Sequence, residues 1–303
     1  MIGKTLFSRR SACRAGAGAA IAVASRAARA AGPPIPIPIP IPILAAENFY
    51  GDVARQIGGD AVRVASILNS PDQDPHLFEA SPRVARAVAH ARIVIYSGLG
   101  YDPWMRKLLA GAPGRDRTEI DVGALTGRKA GANPHIWYDL DTMRRLAAAL
   151  EARLVRIDPG NRDGYAARRA RFDASLQPIV ARITALRGRL AGTVVTATEP
   201  VLGYMLQALR MRSINQGFQR AVMNNTEPSA REVAAFERSL RDHAAKLLVY
   251  NAQASDKMAT RMTQLAKQSG IPVVGASETE PPGKTYQQWM QSELAAVAAA
   301  LNP

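Results

Sequence analysis

Residues 162–190, RDGYAARRARFDASLQPIVARITALRGRL, decide the predicted fold. The stretch is rich in Ala, Arg and Leu, which favour helix, and it predicts one long helix. Pro178 falls inside it, so we expect a kink or a joint there, because proline removes a backbone donor. The turn DPGN at 158–161 separates this helix from another predicted at 142–157. A helix of this length between two regions of alternating strands and helices is typical of a strut connecting two domains.

On both sides of the strut, short apolar runs alternate with amphipathic segments. Strands are predicted at 43–46, 62–68, 93–96, 120–122, 193–198, 247–250 and 272–274. Helices are predicted at 48–57, 81–90, 103–109, 201–209, 228–241, 255–269 and 285–301. This alternation predicts parallel sheets covered by helices on both faces. The predicted fold class is therefore α/β, with two α/β lobes of mainly parallel sheets joined by a long rigid helix and a ligand in the cleft between the lobes.

The predicted boundaries are an N-terminal metal-binding lobe at 43–160, the linking helix at 161–190 and a C-terminal metal-binding lobe at 191–303. Residues 1–31 have a basic start, a short apolar stretch and a small-x-small cleavage pattern, which predict an export signal and a periplasmic location. The pair Arg9-Arg10 leaves the Tat route open beside the Sec route. The Ile-Pro repeat that ends at residue 42 predicts an exposed, polyproline II-like spacer at 32–42.

Charge and cysteine content exclude several classes of site. The net charge is +14, but residues 1–31 carry six of the basic residues and no acid. The remaining excess is spread thinly and has no binding motif beside it, so we expect no nucleic-acid partner. The only cysteine, Cys13, lies in the predicted signal, so the mature chain is expected to have neither disulfides nor a thiolate metal site.

Two histidines of the four lie in nearly the same setting. Asp74-Pro75-His76-Leu77-Phe78 and Asn133-Pro134-His135-Ile136-Trp137 are both polar-Pro-His-apolar-aromatic, and both are predicted loops that precede helices. Imidazole is the commonest metal ligand among side chains, and the proline fixes the backbone before each ring. We therefore predict that His76 and His135 bind one metal ion, whereas His90 and His243 lack this setting and are predicted to lie on helix faces.

Acids at the ends of predicted strands complete the candidate site. Ligands of parallel α/β sheets lie at the carboxyl ends of the strands, where Glu199 and Glu278 are found. With two imidazoles they give a set that suits a first-row divalent ion. Glu199 could instead begin the next helix. Glu280 competes with Glu278 as the fourth ligand, and Glu47 is a candidate to support the ligands from behind. The tryptophans are expected to pack in the core.

These motifs, together with GLG at 98–100, EPS at 227–229 and YQQWM at 286–290, resemble the zinc- and manganese-binding solute-binding proteins of ABC importers, the cluster with a rigid linking helix. The resemblance covers about residues 43–303. It implies one metal held between two lobes, with His76 and His135 at the two first-lobe histidines. Many zinc-binding members have a third histidine where this chain has Glu199, and often an aspartate where it has Glu278. The two-histidine, two-carboxylate set resembles the manganese-type members more closely.

The predicted function is capture of Zn²⁺ or Mn²⁺ as a transport substrate, and its delivery to an ABC permease in the inner membrane. We expect a monomer, as for a capture protein that serves a permease. We expect no catalytic residues, because four protein ligands leave no coordination position for an activated water. Two alternatives stay open at this point. One is an exported metal-dependent hydrolase, for which the chain offers no His-Glu-x-x-His or Gly-x-Ser-x-Gly motif. The other is a metal-binding adhesin or metallochaperone that works without a permease.

Overall fold

The computed structural model of the protein describes residues 39–71, 73, 75, 78–114, 116–253 and 257–301. The predicted export signal, most of the predicted Ile-Pro spacer, and His76 lie outside these residues. The described residues from 39 onward form one compact unit.

The first lobe contains a sheet of four parallel strands in the order β2-β1-β3-β4. Its strands are β1 (Ile41–Glu47), β2 (Val62–Leu68), β3 (Ile93–Tyr96) and β4 (Thr118–Asp121). Its helices are α1 (Asn48–Gly58), α2 (Pro82–His90), α3 (Pro103–Gly111) and α4 (Val122–Thr126), followed by α5 (Leu140–Ile157). The chain moves from β1 outward to β2 and then crosses back to β3, so the strand order reverses between β1 and β3.

The second lobe repeats this arrangement with the strand order β6-β5-β7-β8, again parallel throughout. Its strands are β5 (Val194–Ala197), β6 (Arg212–Ser213), β7 (Leu248–Asn251) and β8 (Val273–Ala276). Its helices are α8 (Gly203–Ala208), α9 (Gln216–Met223), α10 (Ala230–Arg241), α11 (Lys257–Gln268) and α12 (Tyr286–Leu301). Here the reversal falls between β5 and β7. The prediction of two α/β lobes with parallel sheets is confirmed.

The connection between the lobes differs from the prediction of one long helix. It consists of two helices, α6 (Arg162–Ser175) and α7 (Gln177–Leu190), which meet at the buried residue Leu176. Pro178 lies in the first turn of α7, where its missing N–H would have no partner inside the helix in any case. The proline therefore marks a joint between two helices, which is one of the two outcomes that its position predicted.

The start of the first strand also differs from the prediction. The sequence predicts a spacer up to residue 42, yet β1 begins at Ile41 and lies in the centre of the sheet. Proline cannot donate a hydrogen bond, but its carbonyl can accept one, and the Pro42 oxygen accepts from the Arg92 backbone N–H at 2.8 Å. Proline is tolerated at the beginning of a strand for this reason. The short elements α4, β6 and α9 were not predicted, because two to eight residues show too little periodicity.

One hydrophobic core extends through both lobes. It includes Ile43 and Ile95 from the first sheet and Val195 and Val249 from the second. Side chains from α5, α7 and α12 join the same cluster. The two lobes are therefore held together by shared apolar packing as well as by the connecting chain.

An aromatic cluster lies at the centre of this core. Phe49 of α1 is 4.7 Å from the Trp137 ring and 5.7 Å from the Trp289 ring, measured between centroids. Tyr138 contacts Trp289 at 5.3 Å, so the cluster joins α12 to the segment that follows His135. Trp137 and Trp289 are fully buried, and Trp104 is partly buried against a smaller core, as the sequence predicted. No helix in the described part of the chain combines the length and the apolar character needed to cross a membrane.

Trp289→Ala is expected to lower the free energy of unfolding by about 3–5 kcal/mol, because it leaves a large cavity beside Phe49 and Tyr138. Trp104→Ala is the matched control and should cost clearly less, since that side chain is only partly buried. Urea denaturation of the metal-free protein measures both values. Equal losses in the two variants would contradict a central role for the Trp289 contacts.

Glu293 makes the stability of the fold depend on pH. Burial raises the pKa of this carboxyl to about 7, although the Trp289 indole N–H donates to it at 2.9 Å and opposes the shift. The folded protein therefore binds more protons than the unfolded chain between pH 4.5 and about 7. The free energy of unfolding contributed by this group decreases as the pH rises through that window.

Glu293→Gln keeps an acceptor for the indole N–H and removes the titration. Relative to the parent, the variant should be more stable at pH 8 than at pH 5, as measured by denaturation at both values without metal. Glu232→Gln is the control. The N-cap bonds from Ser229 hold the pKa of the exposed Glu232 below its usual value, so its effect should be the same at both pH values. A pH-independent effect of Glu293→Gln would contradict the assignment.

Candidate metal centre

The carboxyl ends of the strands at both reversal points meet at one place. Glu47 ends β1, and Glu199 follows β5 by two residues. Asn251 ends β7, and Glu278 follows β8 by two residues. Ligands of open α/β sheets bind where the strand order reverses, because the loops there diverge and leave a crevice. The topology thus brings polar side chains of both lobes to a common site.

The Nε2 atom of His135 faces this site, and a contact at the other ring nitrogen fixes the orientation of the ring. Its Nδ1 lies 2.6 Å from Asn133 Oδ1, while Asn133 Nδ2 donates to the Pro200 carbonyl at 2.7 Å. Because Asn133 Oδ1 can only accept, Nδ1 is the ring nitrogen that donates to it, and Nε2 is the ring nitrogen directed into the site. His135 is fully buried, and its Nε2 has no hydrogen-bond partner among the described residues. An imidazole oriented in this way is suited to bind a metal ion.

Two carboxylates face that nitrogen. Glu199 Oε1 and Glu278 Oε1 each lie 3.6 Å from His135 Nε2. Glu199 is 2 % exposed and Glu278 is fully buried. One ligand atom from each of the three residues lies within 4.8 Å of the others. Three of the four residues predicted as ligands are therefore brought together by the fold.

Asn251 connects the two carboxylates. Its Nδ2 group donates to Glu199 Oε2 at 2.8 Å and also to Glu278 Oε1. Its Oδ1 accepts from the Gln253 backbone N–H at 3.0 Å, which fixes the orientation of the amide. Because the amide has two N–H bonds, it can serve both acids at once. This side chain lowers the cost of holding two negative groups close together in a buried place.

A tight turn after β3 positions a further donor. Gly98 and Gly100 have positive φ angles of 70° and 87°, and the backbone N–H groups of Ser97 and Gly98 bond to the Asp102 carboxylate. The turn directs Tyr101, whose hydroxyl donates to Glu278 Oε2 at 2.7 Å. Burial, and then the nearby Glu278 carboxylate, raise the pKa of Tyr101 well above its usual value. The hydroxyl therefore remains a hydrogen-bond donor at neutral pH.

Two more acids lie behind the site. Glu47 is fully buried, and burial, followed by the Asp102 carboxylate and more weakly by Glu278, raises its pKa well above the usual value. Burial also raises the pKa of Asp102 to about 6, against the lowering effect of its backbone hydrogen bonds. The environment of Glu47 thus favours the neutral acid, whereas Glu199 and Glu278 are the carboxyl groups that lie 3.6 Å from His135 Nε2.

Glu280 lies in a different environment from Glu278. It lines a polar cavity with Asn48 and Lys284. Burial, and then the Asp52 carboxylate, raise its pKa to about 9. Of the two glutamates that the sequence left open as the fourth ligand, only Glu278 is brought to His135.

The loop of the first lobe that precedes His76 is tied to the Glu278 loop. Gln253 Nε2 donates to the Gln73 carbonyl at 2.9 Å, and Gln253 Oε1 accepts from the Glu278 backbone N–H at 2.5 Å. Because His76 is outside the described residues, its place in the site stays a prediction from the sequence. His90 is exposed at the end of α2, and His243 lies in a turn after α10 with a φ angle of 51°, not on a helix face.

Comparison with known proteins identifies the family. The sequence profile of the zinc-uptake complex component A periplasmic family matches residues 43–300. The chain belongs to this family. Among curated relatives, the manganese ABC transporter substrate-binding lipoprotein scaA of Streptococcus gordonii is 26 % identical over 48 % of each chain. The manganese ABC transporter substrate-binding lipoprotein PsaA of Streptococcus pneumoniae is 21 % identical over 86 % of this chain and 88 % of its own.

Solved structures show the same fold. The periplasmic zinc binding protein TroA from Treponema pallidum superimposes with a TM-score of 0.73 at 18 % identity, covering 87 % of this chain and 99 % of that one. The chain spans about half the length of several curated relatives that it matches, and most of the length of others. At this level of identity, the likeness to the solved structures concerns the fold, and the chemistry of the site is argued from the residues above.

Three residues that hydrogen-bond to the proposed ligands were not predicted from the sequence: Tyr101, Asn133 and Asn251. The sequence contains a signal for Asn251, because it directly follows the strand predicted at 247–250, much as Glu199 and Glu278 follow their strands. Asn133 lies two residues before His135, within the motif itself. Tyr101 gave no indication, since its contact with Glu278 depends on how the two lobes meet.

Asn251→Ala is expected to destabilise the metal-free protein by about 1–3 kcal/mol, because two buried carboxylates lose their common donor. A bound divalent ion compensates the same charge, so the loss should be smaller with saturating Zn²⁺ than without it. Thermal melting with and without Zn²⁺ measures the difference. Asn215→Ala, which removes a partly buried amide that donates to Thr196 and Ser239, is the control and should cost the same in both conditions.

Proposed function

We propose that this protein captures Zn²⁺ or Mn²⁺ in the periplasm and delivers the ion to an ABC-type importer in the inner membrane. The ion is the transported substrate, and its proposed ligands are His76, His135, Glu199 and Glu278. The single observation that carries the proposal is the convergence of His135 Nε2 with carboxylate oxygens of Glu199 and Glu278, from both lobes, within 4.8 Å of one another.

Charge supports a divalent cation as the substrate. Two buried carboxylates that lie close together repel each other, and a bound dication would remove that repulsion. Nitrogen and oxygen donors of this kind suit first-row divalent ions.

Burial supports capture over catalysis. The side chains of His135, Glu199 and Glu278 are at most 3 % exposed, which suits a small ion better than a larger organic substrate. With His76 as a fourth ligand, a zinc ion would have a closed tetrahedral coordination sphere and no position for an activated water. The hydrolase alternative needs such an open position.

Family membership supports delivery to an importer. Relatives are named as substrate-binding lipoproteins of manganese ABC transporters, and the family itself as a component of zinc uptake. A protein of this kind works with a permease and an ATPase. A monomeric state and the choice between Sec and Tat export stay predictions from the sequence.

The test is metal binding by the full mature chain after removal of metal by a chelator. Titration with Zn²⁺ or Mn²⁺ should bind one equivalent and raise the melting temperature, since the ion binds only the folded state. His76→Ala, His135→Ala, Glu199→Gln and Glu278→Gln should each weaken binding by more than the roughly 10–100-fold typical of losing a ligand's hydrogen-bond partner.

His90→Ala is the matched control, because this histidine is exposed on α2 and is distant in sequence from all four ligands. It should bind like the parent. If neither ion raises the melting temperature of the parent, the proposal of metal capture is wrong. If binding survives His76→Ala unchanged, capture stands but His76 is not a ligand.

A further inference from the structure

A second cavity lies between the lobes, apart from the metal centre. Its volume is about 580 Å³, which is within the usual range for small-molecule sites. Gly131 and Asn133 of the first lobe form one wall, and the other walls come from Pro200, from α8 and α9, and from the turn and strand between these helices. No described member of the proposed ligand set lines this cavity.

The lining of the cavity is basic. It includes Arg210 and Arg220, both exposed, and no acidic residue of the described chain. Among the described residues, neither arginine has a carboxylate within ion-pair distance. Arg220 contributes weakly to the lowered pKa of Glu232, but that carboxylate is bonded by Ser229 and does not line the cavity. A guanidinium presents several N–H donors in a plane that matches a carboxylate, so the two side chains can bind an anion.

The backbone at Arg210 also points to a use for its side chain. Arg210 follows α8 with a φ angle of 57°, in the left-handed conformation that favours glycine at the end of a helix. Its N–H donates to the Gln207 carbonyl at 2.9 Å, and the Met211 N–H donates to the Leu206 carbonyl at 3.0 Å. Glycine would make both bonds with less strain, so the turn itself does not require an arginine.

Other walls of the cavity suit an apolar group. Leu206 and Met211 line it and are 3 % and 8 % exposed, and a methionine can adapt its shape to a bound molecule. The Tyr204 ring also lines the cavity and is fixed at two points: the Arg128 guanidinium lies 4.5 Å from the ring centroid, and the hydroxyl donates to the Asn133 carbonyl at 2.7 Å. An inorganic anion would leave these apolar contacts unused.

A buried amide adds a hydrogen-bond acceptor. Gln219 lines the cavity and is only 3 % exposed. Its Nε2 group donates to the Ile214 carbonyl at 2.6 Å and to Ser213 Oγ at 3.2 Å, whereas its Oε1 accepts no hydrogen bond from a described residue. A buried polar atom normally has a partner, and a hydroxyl group on a bound molecule could supply it.

We propose that this cavity binds an organic acid, with its carboxylate on Arg210 and Arg220 and its apolar body against Leu206, Met211 and Tyr204. A hydroxyl group on that body would donate to Gln219. The inference goes beyond the proposed function and does not depend on it, because the site is a different one and takes an anion.

The test is isothermal titration calorimetry of the full mature chain, freed of metal by a chelator, at low ionic strength. The probes are 4-hydroxybenzoate, benzoate and octanoate, with 4-hydroxybenzyl alcohol as the uncharged arm. We expect one equivalent of 4-hydroxybenzoate to bind, more tightly than benzoate because of the hydroxyl group. The alcohol should bind at least tenfold more weakly than 4-hydroxybenzoate, since it lacks the charge that the arginines recognise.

Arg210→Gly removes a guanidinium and suits the φ angle of 57°, so the variant should fold and bind 4-hydroxybenzoate about tenfold more weakly. Arg220→Gln should have a similar effect. Arg212→Gln is the matched control, because Arg212 is exposed on β6, does not line the cavity, and its loss changes the net charge equally. It should bind like the parent.

Four results would overturn the inference. They are no saturable binding of any of the three acids, equal binding of the alcohol and 4-hydroxybenzoate, parent-like binding in the Arg210→Gly/Arg220→Gln double variant, and an equal loss in Arg212→Gln. Equal affinities for benzoate and 4-hydroxybenzoate would reject the role of Gln219. Because every arm uses metal-free protein, none of these results bears on metal capture, and a failure of metal capture would leave this test unchanged.

Discussion

The constraint on which this structure depends is the close approach of two buried carboxylates to one imidazole. Glu199 and Glu278 come from different strands, and each would be costly to bury as an anion without compensation. Several hydrogen bonds offset the free-energy cost of this burial. Asn251 donates to both acids, Tyr101 donates to one of them, and Asn133 orients the imidazole. These contacts allow the site to form, and its two buried carboxylates still favour the binding of a cation.

The two sheets supply the geometry for this arrangement. Each has the same strand order, with a reversal beside its first strand, and the carboxyl ends at both reversals are directed to the same region. Neither lobe contains the site alone: His135 comes from the first, while Glu199, Asn251 and Glu278 come from the second. Hydrogen bonds that cross between the lobes, such as Asn133 to Pro200 and Tyr138 to Ser277, are made by residues next to the proposed ligands or two residues from them in the chain. The position of the lobes relative to each other and the geometry of the site are thus maintained by the same contacts.

Most of the architecture could be predicted from the sequence, because periodicity and strand-end acids are local properties. Strands such as Val62–Leu68 and Ile93–Tyr96 have the bounds that were predicted. The break at Leu176 could not be located, since both flanking segments favour helix and only packing decides where they separate. Tyr101 and Asn251 are neutral side chains, and their importance depends on which carboxylate oxygen they reach across the interface between the lobes. The sequence shows these residues, but it does not show how close they lie to the carboxylates in the folded protein.

The shared core has a consequence for how quickly an ion could leave. Because Ile43, Val195 and side chains of α7 and α12 belong to one apolar cluster, a rotation that separated the lobes would expose buried surface at a cost of about 25 cal/mol per Å². Rearranging loops near the ligands exposes far less. For the proposed ion, dissociation is therefore expected to be governed by local loop opening, with Gln253 as a contact that connects the Gln73 segment to the Glu278 loop. Displacement of the Gln253 amide would disturb a loop of each lobe in one step.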